Sequence, residues 1–239
     1  MVSVRQPVNS PPDHDGRPTG KPVRILWEDG AMTSTPIADL WPTLPGADTR
    51  PEAAYRLLQA AVESFAERGF HATTTRDIAT AAGMSPAALY IHYQSKAALL
   101  AEISQAGHTA TLALVRAAAA GDGGPAQRMR RLVEQFTAWH ARARTVGRVV
   151  NYELHALPED AYAVVAALRL DIEREVSALI EAGVAAGEFE VAEVRTAARA
   201  VTSLGIDVSR WYTERSSETP EELGRRYGDL VLRMLGARV

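Results

Sequence analysis

The stretch TTTRDIATAAGMSPAALYIHYQSKAALL, from Thr73 to Leu100, holds side chains suited to non-covalent recognition rather than to bond making. Arg76 and Lys96 bracket it and are candidate phosphate ligands. Thr74, Thr75 and Ser95 add hydroxyls beside helix N-termini, which also hold phosphates. Ser85, Pro86 and Ala87 are small enough to approach base edges, and an apolar contact to a thymine methyl suits Pro86 or Ala87. Tyr90, His92 and Tyr93 offer polar tips, with Leu89 as the expected buried anchor.

A second group lies further along. Phe136 and His140 share a stripe with Met129 and Val133, and Glu153 sits among Val146, Val150 and Leu157. A carboxylate on an apolar stripe needs a partner, such as Arg142 or Arg148, or a purpose. The purpose would be ligand binding: Glu153, His140, Tyr152 and His155 would supply the few polar contacts of an apolar, aromatic-lined pocket. Trp211 is expected on its floor or in a subunit interface.

These residues need helices to position them. T-x-x-D at Thr74–Asp77 is a capping-box variant that opens a helix over about 75–82. Gly83 turns the chain, Ser85 caps the next helix, and Pro86 takes its first position. Two short helices joined in this way form a helix-turn-helix, whose second helix enters the DNA major groove. A helix from about Pro51 to Arg68, with Thr49 and Glu52 as a capping box, completes the unit. Ser95 caps a long fourth helix beginning at Lys96. Pro125 opens a fifth, a short sixth carries Val146 and Val150, and Pro158 opens a seventh. An eighth covers about 192–214, and Thr219, Pro220 and Glu222 start a ninth that ends near Leu235. The fold class is all-α. The division reads as a Pro/Gly/Ser-rich tail over 1–48, a DNA-binding unit over 49–95 and a helical body over 96–239. Met32 resembles a natural start of translation.

Composition fits this division. The chain has 239 residues, nearly half of them apolar, no cysteine and a net charge of −3. Thiolate metal sites and disulfides are excluded, no metal or other cofactor is expected, and a soluble cytoplasmic protein without membrane contact is the default. Only a local face, not overall charge, can attract nucleic acid. Enzyme motifs are missing: GMSPA at 83–87 lacks the strand and final glycine of a nucleophile elbow, and there is no H-E-x-x-H, Walker loop or dinucleotide fingerprint.

AAVESFAERGFHATTTRDIATAAGMSPAALYIHYQSKAALL, within about 52–102, resembles the DNA-binding pattern of the tetracycline-repressor (TetR) family. The resemblance implies an all-helical homodimer with an N-terminal three-helix DNA reader and a C-terminal ligand-binding body. By position, Thr75, Arg76, Tyr90, His92 and Lys96 fall on family DNA-contact sites. Tyr93 departs from a frequent phenylalanine, and reads as either an extra phosphate contact or a core variant.

Val194, Ala197, Val201, Leu204, Val208 and Trp211, with Leu223, Tyr227, Leu230 and Met234, step at heptad spacing. The stripes face either the core or a partner. The resemblance favours a four-helix dimer interface and so places Val201, Leu204, Val208, Tyr227, Leu230 and Met234 in it. The segments from RVVNYELHALPEDAYAVV to SRWYTERSSETPEELGRRYGDLVLRMLG are similar to TetR-type regulators of lipid catabolism, several of which respond to acyl-CoA thioesters. The expected function is a repressor that binds a palindromic double-stranded operator and is released by a small hydrophobic effector. Long-chain or sterol-like acyl compounds, including acyl-CoA, are candidate effectors. A multidrug-sensing regulator and a helical enzyme are the alternatives.

Overall fold

The computed structural model describes residues 50–213 and 215–237. The tail, Met32 and Thr49 lie outside them. The described chain is all-α: α1 (Glu52–Arg68), α2 (Thr75–Ala81), α3 (Pro86–His92), α4 (Lys96–Ala120), α5 (Pro125–Arg142), α6 (Arg144–Tyr152), α7 (Glu159–Ala185), α8 (Val194–Trp211) and α9 (Pro220–Met234), with a 3-10 turn at Leu154–Ala156. None of these helices is long and apolar enough to cross a membrane.

Local chemistry sets most of the boundaries. The Thr74 hydroxyl accepts from the Asp77 N–H while the Asp77 carboxylate accepts from the Thr74 N–H, so both orphan donors at the start of α2 are satisfied. Gly83 has φ +67°, a conformation that L side chains avoid, and it reverses the chain between α2 and α3. Ser85, Ser95 and Thr219 cap α3, α4 and α9 through their hydroxyls. At the start of α1, Pro51 occupies the N-cap position and offers no side-chain acceptor. Helix α8 begins instead with Glu193, whose carboxylate accepts from the N–H groups of Arg195 and Thr196.

Two large apolar cores and a small third, around Ala141, Val208 and Leu223, result. The first packs α1, α2 and α3 against the start of α4 and the face of α6, around Leu57, Leu58, Phe65, Ile78, Leu89 and Leu99. The second joins α4, α5, α7, α8 and α9 around Met129, Leu132, Val176, Ile180 and Val231. Helix α6 belongs to the first core through Val146, Val149 and Val150, and it also packs on α8. It therefore touches both the three-helix unit and the body.

The heptad stripes divide differently from the expectation. Val201 is buried and Val208 fully so within a single protomer, because both point at α5. They are core residues and have no surface to give a partner. Leu204 and Tyr227 are half-buried against the same core. Leu230 and Met234, 46% and 41% exposed, lie on the outer side of α9. A heptad period serves a monomer core as well as a coiled coil, so spacing alone does not separate the two.

Candidate nucleic-acid interface and effector cavity

Helices α2 and α3 form a rigid recognition head. Leu89 is fully buried beneath α3, and Arg56 from α1 donates to the Ala82 carbonyl, tying the turn to the first helix. Ser85, Pro86, Ala87 and Tyr90 are exposed along α3, and Arg76 is exposed on α2. The Tyr90 hydroxyl lies 3.2 Å from the Thr75 hydroxyl, so the two helices present their polar groups as one surface. His92 is half-buried at the end of α3. Hydrogen bonds from Thr74, and then the Arg68 and Arg76 charges, hold the Asp77 carboxyl below its ordinary pKa.

Two residues of the expected contact set have other work. Tyr93 is 6% exposed and sits in the first core near Arg50 and Glu102, where burial raises its hydroxyl pKa well beyond the ordinary value. It is a core residue, not a phosphate contact. Lys96 turns inward: its ammonium donates to the carbonyls of Phe70 (2.7 Å), Thr73 (2.8 Å) and His71 (3.2 Å) and lies 4.3 Å from the centre of the Phe70 ring. Three donors meet three acceptors, so Lys96 fastens α4 to the α1–α2 loop. Ile91 escaped notice in the sequence. It lies about 200° around α3 from the buried Leu89 and is 79% exposed, an apolar side chain aimed outward from the recognition surface. That angular offset was the available signal.

The body contains a cavity of about 440 Å³ bounded by α4, α5, α6, α7 and α8. Phe136, His140, Val150 and Ile172 line its apolar part, and Asn151, Thr202 and Arg169 bring polar atoms. His108 and His140 are buried, and burial pushes both imidazoles down to a pKa of about 4, so they are neutral near pH 7. In each ring Nδ1 donates to a backbone carbonyl four residues earlier, Ser104 for His108 and Phe136 for His140, both at 2.8 Å. That bond fixes the tautomer and leaves Nε2 as an acceptor.

These histidines make stability depend on pH. The unfolded imidazoles bind protons near pH 6.5, whereas the folded ones resist until about pH 4. The stability from keeping them neutral is present above pH 6.5 and is lost as the pH falls towards 4. Between those limits the loss approaches about 1.4 kcal/mol per pH unit for each histidine. Urea midpoints measured from pH 7 to pH 5 are expected to fall, and to fall less steeply in the His108→Asn, His140→Asn double variant. Equal slopes would contradict the assignment.

The remaining expected ligand residues do not converge on this cavity. Tyr152 and Glu153 line a separate cleft of about 380 Å³ between α1, α6 and α8, with Phe65, Gly69, Arg148 and Arg210. Glu153 accepts from the Phe70 N–H at 3.3 Å and lies 3.9 Å from His155, which is exposed and stacks 5.7 Å from His71. Arg142, one partner expected for Glu153, is paired with Glu221 instead. Burial, and then the Asp207 charge, raises the Tyr152 pKa, and Arg210 sits over its ring. Trp211 is exposed beside Tyr212 and lines neither space. Tyr152, Glu153 and His155 lie where the body meets the three-helix unit. His108, Asn151 and Arg169 were not legible as cavity residues. Only Arg169 left a trace, a charge three and four residues from the buried Ile172 and Val165 on α7.

Comparison with known proteins accounts for both halves. Residues 57–103 match the model of bacterial regulatory proteins of the tetR family, and residues 122–235 match the tetracyclin repressor-like C-terminal domain. A tetR-family regulatory protein from Rhodococcus RHA1 superposes with a TM-score of 0.76 at 41% identity, covering 80% of this chain and all of that one. This chain belongs to the TetR family. It is a helix-turn-helix transcriptional regulator and not an enzyme. Among curated TetR relatives, the transcriptional repressor KstR2 of Rhodococcus jostii is 29% identical over 194 residues, 79% of this chain and 94% of that protein. AibR, crystallised with isovaleryl coenzyme A and operator DNA, shares the fold at 20% identity and a TM-score of 0.68, covering 77% of this chain and 97% of that one.

For a TetR head of this geometry, Arg76→Gln is expected to weaken operator binding and to reduce the salt slope by about 1, without loss of thermal stability. Tyr90→Ala is expected to weaken binding with the slope kept. Lys96→Met is expected to lower stability by about 1–3 kcal/mol, since charge-assisted hydrogen bonds to three carbonyls are lost. Anisotropy titrations at several salt concentrations, beside urea melts, distinguish the three. A salt slope lowered by Lys96→Met at unchanged stability would return that lysine to the phosphate contacts.

Proposed function

We propose that this regulator is a repressor that binds a palindromic operator as a homodimer and lets go when a small hydrophobic effector fills the 440 Å³ cavity. Residues 49–95 would read DNA, and residues 96–239 would hold effector and partner. Thr74, Thr75, Arg76, Ser85, Pro86, Ala87, Tyr90 and His92 form the proposed DNA face, joined by Ile91. Phe136 and His140 are the proposed effector contacts.

The observation that carries this reading is the position of α6. Val150 lines the cavity, while Val146, Val149 and Val150 pack in the core of the three-helix unit, and Glu153 accepts from Phe70. An effector that displaces α6 moves the head with it. A cavity of this size with mainly apolar walls suits an acyl chain. KstR2 is a repressor, and AibR was crystallised with an acyl-CoA and its operator, which supports acyl thioesters as the first compounds to try.

The test is footprinting on DNA flanking the chain's own gene, with sedimentation of the complex. The expected result is a protected inverted repeat with half-sites about 34–36 Å apart or a multiple of that, occupied by an even number of protomers. Absence of protection, or occupation by a single protomer, contradicts the proposal.

A further inference from the structure

Two arginines, Arg169 and Arg199, and the Glu173 carboxylate line the cavity. Glu173, which lines the cavity, lies 3.2 Å from Arg199 and 3.7 Å from Arg195. Arg169 is placed differently. Its stem is at the solvent-exposed edge of α7, and one guanidinium nitrogen reaches inward to His108 Nε2 at 3.3 Å and Asn151 Oδ1 at 3.2 Å. Both acceptors are neutral. The His108 tautomer is held by Ser104, so its Nε2 accepts from Arg169 and cannot also donate to it. A guanidinium has five N–H donors in a planar fork and binds carboxylate or phosphate oxygens more strongly than neutral acceptors. Arg169 is thus a permanent cation on the wall of a largely apolar cavity, steadied by two neutral groups.

We infer that Arg169 receives the anionic head group of an amphiphilic effector, whose apolar chain lies against Phe136, Val150 and Ile172. This rests on the proposed reading of the cavity as the effector site and narrows it to a chemical class. The anionic oxygen takes the place of Asn151 Oδ1 on the guanidinium, while His108 keeps Arg169 turned inward. Asn151 also donates to the Gly147 carbonyl of α6, so exchanging its partner places the head group directly on the helix that joins body to head. The negative charge is either a free carboxylate or a phosphate of a thioester-linked carrier, and Arg169 serves both.

The experiment is calorimetry of the full chain with decanoate, decanoyl-CoA and methyl decanoate, in the parent and in Arg169→Gln and Arg169→Lys. The parent is expected to bind at least one of the two anions about tenfold or more tighter than the neutral ester. That preference is expected to vanish in Arg169→Gln and to survive in part in Arg169→Lys, with ester binding equal in all three. Preference for decanoate identifies the carboxylate, and preference for decanoyl-CoA identifies the carrier phosphate. If all three compounds bind the parent alike, the anion inference fails and the apolar effector site stands. An anion preference unchanged in Arg169→Gln overturns the role of Arg169 alone. If none of the compounds binds, the reading of the cavity fails and the inference with it.

Discussion

Gly205→Ala is expected to leave ligand-free operator affinity within about twofold of the parent and to weaken effector binding by about tenfold or more, which is about 1.4 kcal/mol. A Cβ on Gly205 would lie 2.4 Å from Cδ1 and 2.6 Å from Cε1 of Phe136, far inside contact distance. Helix α8 cannot easily retreat, because Val201 and Val208 on the same helix are buried against α5. The Phe136 ring also lines the open space of the cavity. The least costly relief is rotation of that ring into the cavity, so the variant fills the effector's place with its own side chain. Overpacking of this kind costs about 1–3 kcal/mol of stability, which a thermal melt will register as a modest shift. The outcome is a repressor that binds DNA but does not respond. Phe136→Ala is a poorer probe, since Phe136 is buried and its truncation costs about 3–5 kcal/mol of stability. Undiminished effector binding in Gly205→Ala would show that the effector sits elsewhere.

The second large effect separates interface from core. Leu230→Glu is expected to convert a dimer into a folded monomer at micromolar concentration, with an unchanged far-ultraviolet spectrum and a thermal transition close to that of the parent protomer. Leu230 and Met234 are exposed large apolar side chains four residues apart on α9, on a chain whose family relatives share this body. A carboxylate there is solvated in the monomer but buried without a partner in a dimer. Val208→Glu is expected to do something else. It places the charge in the protomer core beside Ala141 and Leu223, so the protomer unfolds. Sedimentation equilibrium and circular dichroism on both variants check the contrast. A dimeric Leu230→Glu protein would place the interface on another face.

What the sequence made legible was local. The start of α2 follows from Thr74 and Asp77, the start of α3 from Ser85 and Pro86, and that of α9 from Thr219 and Glu222, because each cap is written within four residues. The recognition turn follows from Gly83 for the same reason. Partners brought together from distant positions were not legible. Lys96 and Glu153 both bind backbone groups of the α1–α2 loop, and no side-chain pattern marks a carbonyl or an N–H as the partner. The cavity was equally hidden. His108, Phe136, Arg169 and Thr202 come from four helices whose relative rotation is set by packing, and periodicity within one helix says nothing of the next. The α8 stripe gave the right face of the helix and the wrong neighbour.

If one cavity in the body and one surface on the head are linked through α6, effector and operator must each weaken the other's binding. Operator affinity measured across a titration of decanoyl-CoA, with decanoyl-CoA affinity measured on free and operator-bound protein, tests this most directly. Linkage requires the two factors to be equal. Decanoyl-CoA is expected to weaken operator binding tenfold or more, and operator to weaken decanoyl-CoA binding by the same factor. Decanoyl-CoA that binds the free and DNA-bound protein equally would contradict this linkage.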